Sequence, residues 1–200
     1  MQIQTSRFGT VTISNDDLLL FPEGILGFND LRNFVLLEDP SDEIFAWLQS
    51  CENPGIAFPV LEPELFTTAY SVTLSKSDLE ALGLREQTGF RVFTIVTIPE
   101  DPINMTANLK APLVINVKKR VGRQCVLQDN KLAICEPIFA SLQQRLVQNK
   151  EVISTELVKK KIETVFILPQ KKPIAYKQTS SKQAVESAVL SKKDYGYAKE

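Results

Sequence analysis

The 200-residue chain contains no histidine. That absence removes His-ligated zinc sites, Ser-His-Asp machinery and Cys-His nucleophilic pairs together. Cysteine is scarce: Cys51, Cys125 and Cys135 are widely spaced and form neither a disulfide framework nor a CxxC knuckle. They read as small hydrophobes in a reducing compartment. No apolar run approaches the roughly 18 residues of a membrane span, and the start, MQIQTSRFG, lacks a basic region followed by an apolar core. The expected location is therefore the cytoplasm, away from membranes. Gly24 and Gly27 stand three apart in PEGILGF, but no Walker lysine follows and GxGxxG does not occur, so a tight turn is the plain reading. Paired carboxylates are no better placed. Glu38, Asp39, Asp42 and Glu43 surround a turn with nothing apolar inside it, and Glu100 and Asp101 are loop neighbours that make at best a weak magnesium site. The chain thus reads as a non-enzyme with no cofactor and no metal.

What is present is ample core material, 44% apolar, and a hidden charge asymmetry. Net charge is only -1, yet residues 1–66 set Arg7 and Arg32 against eleven acidic residues, while residues 131–200 carry thirteen basic against seven acidic. An acidic body attracts a basic partner and repels nucleic acid, although it also serves solubility. KKRVGR at 118–123 is the one dense basic run before the C-terminal third. Without interleaved aromatics it reads as a solvated hairpin tip rather than a nucleic-acid patch.

The pattern organises around Phe90 to Val117. Residues 90–98 alternate with apolar area on both faces, as a central strand requires, and Leu113 to Val117 is the returning neighbour. Pro99, Pro102 and Pro112 lack the N–H groups a ladder needs, so the connection is expected to leave the sheet. Upstream, residues 2–13 read as a hairpin with Ile3 opposed to Val11 and Ile13. Leu18 to Phe21, Asn33 to Leu37, Ile44 to Leu48, Ile56 to Val60 and Tyr70 to Leu74 follow as short strands, with EDPSDE as an acidic turn and Trp47 as a core residue. Ser77 is expected to cap a helix over Asp78 to Leu82, with Glu80 completing a capping box and Gly83 ending it. Gln124 to Gln128 is expected to supply the closing strand. From Pro137, at the first helical position, Ile138, Phe139, Leu142, Leu146 and Val147 form one helical face.

The expected fold is mainly β: a small antiparallel barrel-like domain over residues 1–135, then a helical, basic extension over 136–200. The extension comprises the amphipathic helix, a segment of mixed period over 151–168, and a loose lysine-rich tail from Pro169 with a short helix at Ser181 to Leu190.

Several motifs in order, LFPEGILGF at 20–28, FAWLQS at 45–50, GIAFPV at 55–60 and TIPEDPINMTANLKAPLVIN at 97–116, closely resemble the FliW family of flagellar assembly factors. The resemblance covers roughly residues 1–135. It implies a small, mainly β protein that binds the translational regulator CsrA, relieving its repression of flagellin messenger RNA, and that also binds flagellin, so that synthesis follows export. Family motif residues carry over as Phe21, Pro22, Gly24, Gly27, Phe28, Phe58, Pro99, Met105, Thr106, Asn108, Leu109, Pro112 and Asn116. Partner-binding candidates are Glu38, Asp39, Asp42 and Glu43 in the acidic turn, and Met105, Thr106, Asn108 and Lys110 in the connection. Direct contact with nucleic acid is not expected. Two other readings stay open: a flagellin-specific chaperone with no regulatory role, and a nucleic-acid-binding module using the basic segments. The chain departs from the family pattern at Leu132 to Ile138 and in the residues that follow.

Overall fold

The computed structural model describes residues 1–39 and 42–152. Two short strands, β1 (Gln2–Thr5) and β2 (Gly9–Thr12), form the expected hairpin, pairing Ile3 with Val11. A 3-10 turn at Asn15–Asp17 leads into β3 (Leu18–Leu20), followed by the long hairpin β4 (Asn33–Asp39) and β5 (Asp42–Ser50), then β6 (Ala57–Leu61). Helix α1 (Lys76–Leu82) precedes β7 (Phe90–Thr97). The chain ends its described part with β8 (Thr106–Ala107), β9 (Leu113–Asn116), β10 (Val121–Gln124), β11 (Glu136–Pro137) and α2 (Phe139–Val152).

Seven strands close on themselves in the order β7-β6-β5-β4-β3-β10-β9, because β9 pairs with β7 as well as with β10. The result is a small closed barrel, mainly β with few helices. Every neighbouring pair is antiparallel except β3 and β10, which meet in parallel through Leu20 and Val121 alone. Two short strands, β8 and β11, extend the sheet from the far end of β7.

Period-two alternation explains the packing. In β4, Phe34 and Leu36 point to the barrel interior, where they join Leu19, Phe21, Ile25, Leu48, Val60, Phe93, Leu113 and Ile115. Val35 and Leu37 point outward and are covered by Ile3, Val11 and Ile13 of the β1–β2 ribbon. A third core under α1 contains Leu74, Leu82, Val114 and Cys125. The fourth joins Phe45, Leu61, Phe66, Val96, Met105, Ala107 and Leu109 to Ile138 and Leu142, so the first turns of α2 pack on the barrel.

Several expectations are corrected. Tyr70 to Leu74 belongs to no ladder. The Tyr70 hydroxyl donates to the Leu109 carbonyl (2.8 Å), and Gln87 takes the place of a neighbouring strand by bonding both the N–H (2.9 Å) and the carbonyl (2.7 Å) of Leu74. The helix cap is Ser75 rather than Ser77, and the box partner is Asp78 rather than Glu80. Gly83 does end α1, in the left-handed conformation. The 97–113 connection leaves the sheet only in part, since Thr106 and Ala107 return to pair with Thr97 and Val96.

In KKRVGR the turn is Lys118 to Arg120, and Val121 already begins β10. That strand stops at Gln124, where Gln124 to Gln128 was expected to run on. Only Cys125 N–H (to Pro112 O, 2.9 Å) and Leu127 N–H (to Lys110 O, 2.9 Å) continue the contact, because Pro112 has no N–H to return. Pro137 lies in β11 instead of opening α2. Beyond Val152, the mixed-period segment, the lysine-rich tail and the Ser181 to Leu190 helix lie outside the described residues.

Candidate protein-partner surface

Two regions hold the sequence-derived candidates. The first is the end of the β4–β5 hairpin. The structure puts Glu38, Asp39, Asp42 and Glu43 inside the two strands rather than in a loose acidic turn. Glu38 pairs with Ala46, the register slips by a bulge, and Asp39 then faces Asp42. Like charges directly opposite on neighbouring strands oppose hairpin formation. Glu38 is solvent-exposed as a residue, yet crowding of its carboxyl by protein atoms raises its pKa above the usual carboxylate range, an effect partly offset by the nearby Arg91 cation. Arg91 also forms a 2.6 Å ion pair with Glu62. At the neighbouring position Trp47, paired with Leu37, lies under the Arg7 guanidinium at 3.8 Å with Phe8 edge-on. Trp47 is thus a packing platform for the N-terminal ribbon.

The second region is the connection between β7 and β9. Asp101 caps a 3-10 turn at Pro102–Asn104 by accepting from Ile103 N–H (3.1 Å). Met105 is buried in the α2-side core, and its carbonyl accepts from Ile138 N–H (3.1 Å). Asn108 folds the chain back by accepting from Ala111 N–H through Oδ1 (2.9 Å). Lys110 Nζ donates to the Asp129 carbonyl (2.6 Å), and Thr106 is half-buried in β8. Within this segment the exposed apolar side chains are Ile98 and Ile103, the latter at 64%.

Motif residues hold the scaffold. The Phe21 ring, fully buried, lies over Gly122 so closely that a Cβ there would overlap it. Pro22 opens the following turn; Gly24 has φ +70°, and a side chain there would strike the Phe28 carbonyl and the Asn29 backbone. Gly27 also has positive φ, and Phe28 packs edge-on against Phe58 at 5.2 Å. Asn116, 4% exposed, ties the end of α1 to β9: Nδ2 donates to Leu82 O (2.9 Å) while Oδ1 accepts from Lys118 and Lys119 N–H. Pro99 is half-buried and Pro112 buried where the ladder breaks.

Sequence reading missed Gln124. Its Oε1 accepts from Leu26 N–H (3.0 Å) in the PEGILGF loop and its Nε2 donates to the Ala111 carbonyl (3.0 Å) in the connection, joining two motifs that lie far apart in sequence. Beside it, Arg123 contacts Glu23 of that loop and pairs with Asp78 of α1 at 3.0 Å.

The FliW protein family model matches residues 2–138, which is the whole barrel. The chain belongs to the FliW family. It is 66% identical over 152 residues to the flagellar assembly factor FliW of Bdellovibrio bacteriovorus, covering 76% of this chain and 87% of that protein. It is 38% identical over 143 residues to the FliW of Leptospira biflexa, covering 71% and 94%. A crystal structure of the flagellar assembly factor FliW superposes with a TM-score of 0.65 at 32% identity, covering 70% of this chain and 97% of that one. The matched relatives are flagellar assembly factors, which accords with a site built for proteins. Among the described residues no helix is long and apolar enough to cross a membrane.

Proposed function

We propose that this FliW-family chain binds CsrA through the acidic end of the β4–β5 hairpin, antagonising its repression of flagellin messenger RNA, and that it also binds flagellin, coupling synthesis to export in the cytoplasm. The observation that supports the CsrA assignment is the register that gathers Glu38, Asp39, Asp42 and Glu43 at one end of the β4–β5 hairpin, on a chain whose first 66 residues hold only two basic side chains. An RNA-binding protein presents cations for phosphate, and an anionic hairpin both steers it in and denies the same ground to RNA. The Thr106, Asn108 and Lys110 stretch of the connection, with Ile103 exposed beside it, is the surface assigned to the second partner, flagellin.

The test is association kinetics of the full chain with purified CsrA. Reversing Glu38, Asp39 and Asp42 to lysine should slow association about tenfold at low salt and much less at high salt, since exposed charges are screened within roughly 10 Å at 0.1 M. Rates that respond neither to the substitutions nor to salt move the CsrA site to the connection. Binding of flagellin alone, with no CsrA binding by the unmodified chain, favours the chaperone reading instead.

A further inference from the structure

Six of the seven seams of the barrel are hydrogen-bonded ladders with two to six residue pairs, whereas β3 and β10 share one pair, Leu20 with Val121. The backbone there contributes Leu20 N–H to Arg120 O at 2.9 Å. Side chains add to this: Gln124 bridges Leu26 and Ala111, Arg123 reaches Glu23, and the Phe21 ring covers Gly122. On one side of the seam, the β9–β10 hairpin is tied firmly to α1. Arg123 pairs with Asp78, Asn116 bonds Leu82, and one face of the hairpin packs with α1 through Leu74, Leu82, Val114 and Cys125, while Leu113 and Ile115 on its other face enter the barrel interior. On the other side, β3 and the PEGILGF loop belong to the β4 ladder and the barrel core.

We propose that the barrel opens at this seam. The β9–β10 hairpin and α1 move as one body about the β7–β9 ladder, and Gln124 is the latch. Opening separates two surfaces, the PEGILGF loop and the Ala111 turn, that only the closed form holds in register. A protein that touches both therefore selects the closed form. That consequence rests on the partner-binding reading above; the opening itself does not.

The test is native-state hydrogen exchange on the full chain without any partner. The amide of Leu20, whose acceptor Gln124 does not touch, should exchange faster than those of Val35 and Gln49, a hydrogen-bonded pair of the β4–β5 ladder. Gln124→Ala, which removes two hydrogen bonds, should speed Leu20 exchange about tenfold while leaving Val35 and Gln49 within twofold. Should that variant fold poorly, Glu23→Ala, altering an exposed side chain, should give the same pattern with a smaller factor. Exchange of Leu20 at the rate of Val35 and Gln49 in all forms overturns the proposal. So does an effect of Gln124→Ala confined to Leu26, its direct partner, which would make the glutamine a local contact. Loss of CsrA binding with an unchanged exchange pattern leaves no seam motion and overturns it too, whereas absence of CsrA binding by the unmodified chain bears only on the functional reading.

Discussion

Replacing Gly122 by alanine sets two effects of opposite sign against each other. Gly122 lies in β10 and has no positive φ. On backbone grounds alone, then, alanine in a strand interior should stabilise the fold by about 0.5–1 kcal/mol through lost freedom of the unfolded chain. The methyl group, however, would sit within the Phe21 ring, overlapping three of its carbons. Phe21 is fully buried among Ile25, Phe34 and Leu113, with the Phe34 ring edge-on at 5.3 Å, so it cannot rotate away freely. Overpacking of this kind costs about 1–3 kcal/mol and can exceed it when backbone must shift. The steric effect wins, and Gly122→Ala should destabilise by about 1–2 kcal/mol net. For a chain of this size that is a fall of roughly 2–8 °C in Tm, measured by urea and thermal unfolding followed through Trp47 fluorescence. The decisive form is a double-mutant cycle with Phe21→Leu. Trimming the ring alone opens a cavity and costs stability, but in the Gly122→Ala background it makes room for the methyl group, so the pair should be coupled by at least about 1 kcal/mol. A neutral or stabilising Gly122→Ala, or a cycle that is additive, would refute the close ring-on-glycine contact as the reason for glycine at this position.

Leu142 is 4% exposed against Phe45, Phe66, Met105 and Ile138, so Leu142→Asp buries an unpaired carboxylate and should cost about 3 kcal/mol or more; an unchanged urea midpoint with lost partner binding would make α2 a recognition helix instead. Burial pushes the Cys125 thiol from 9.0 up to about 12 and the Cys51 thiol up to about 11. A raised folded pKa contributes stability that is whole below pH 9 and is lost as pH rises toward 12. The urea midpoint should therefore fall between pH 9 and about 11, and Cys125→Ala should flatten the fall; a midpoint that is level in the unmodified chain would count against the buried thiol.

The barrel was legible where a residue's neighbours in sequence determine its face. The apolar run Phe34, Val35, Leu36 and Leu37 reads as a short strand, and the structure assigns those residues to the interior and to the β1–β2 ribbon in turn. The acidic end of the hairpin was legible as charge, though as a turn rather than as strand, since β4 runs on to Asp39 and β5 begins at Asp42. Illegible were the places where a side-chain amide stands in for a strand: Gln87 beside Leu74, Gln49 bonding the carbonyls of Ser50 and Ile56, and Gln124 across the seam. Glutamine is neutral in an apolar-polar pattern, and nothing local separates such a residue from one facing water. The same limit explains Met105. Its polar neighbours Asn104, Thr106 and Asn108 made it look like part of an exposed loop, whereas the return of Thr106 and Ala107 to β7 turns the methionine inward under α2. Burial already accounts for motif residues such as Phe21, Met105 and Asn116, so the proposed partner surface rests on side chains that reach solvent, of which Ile103 is the most exposed in the connection.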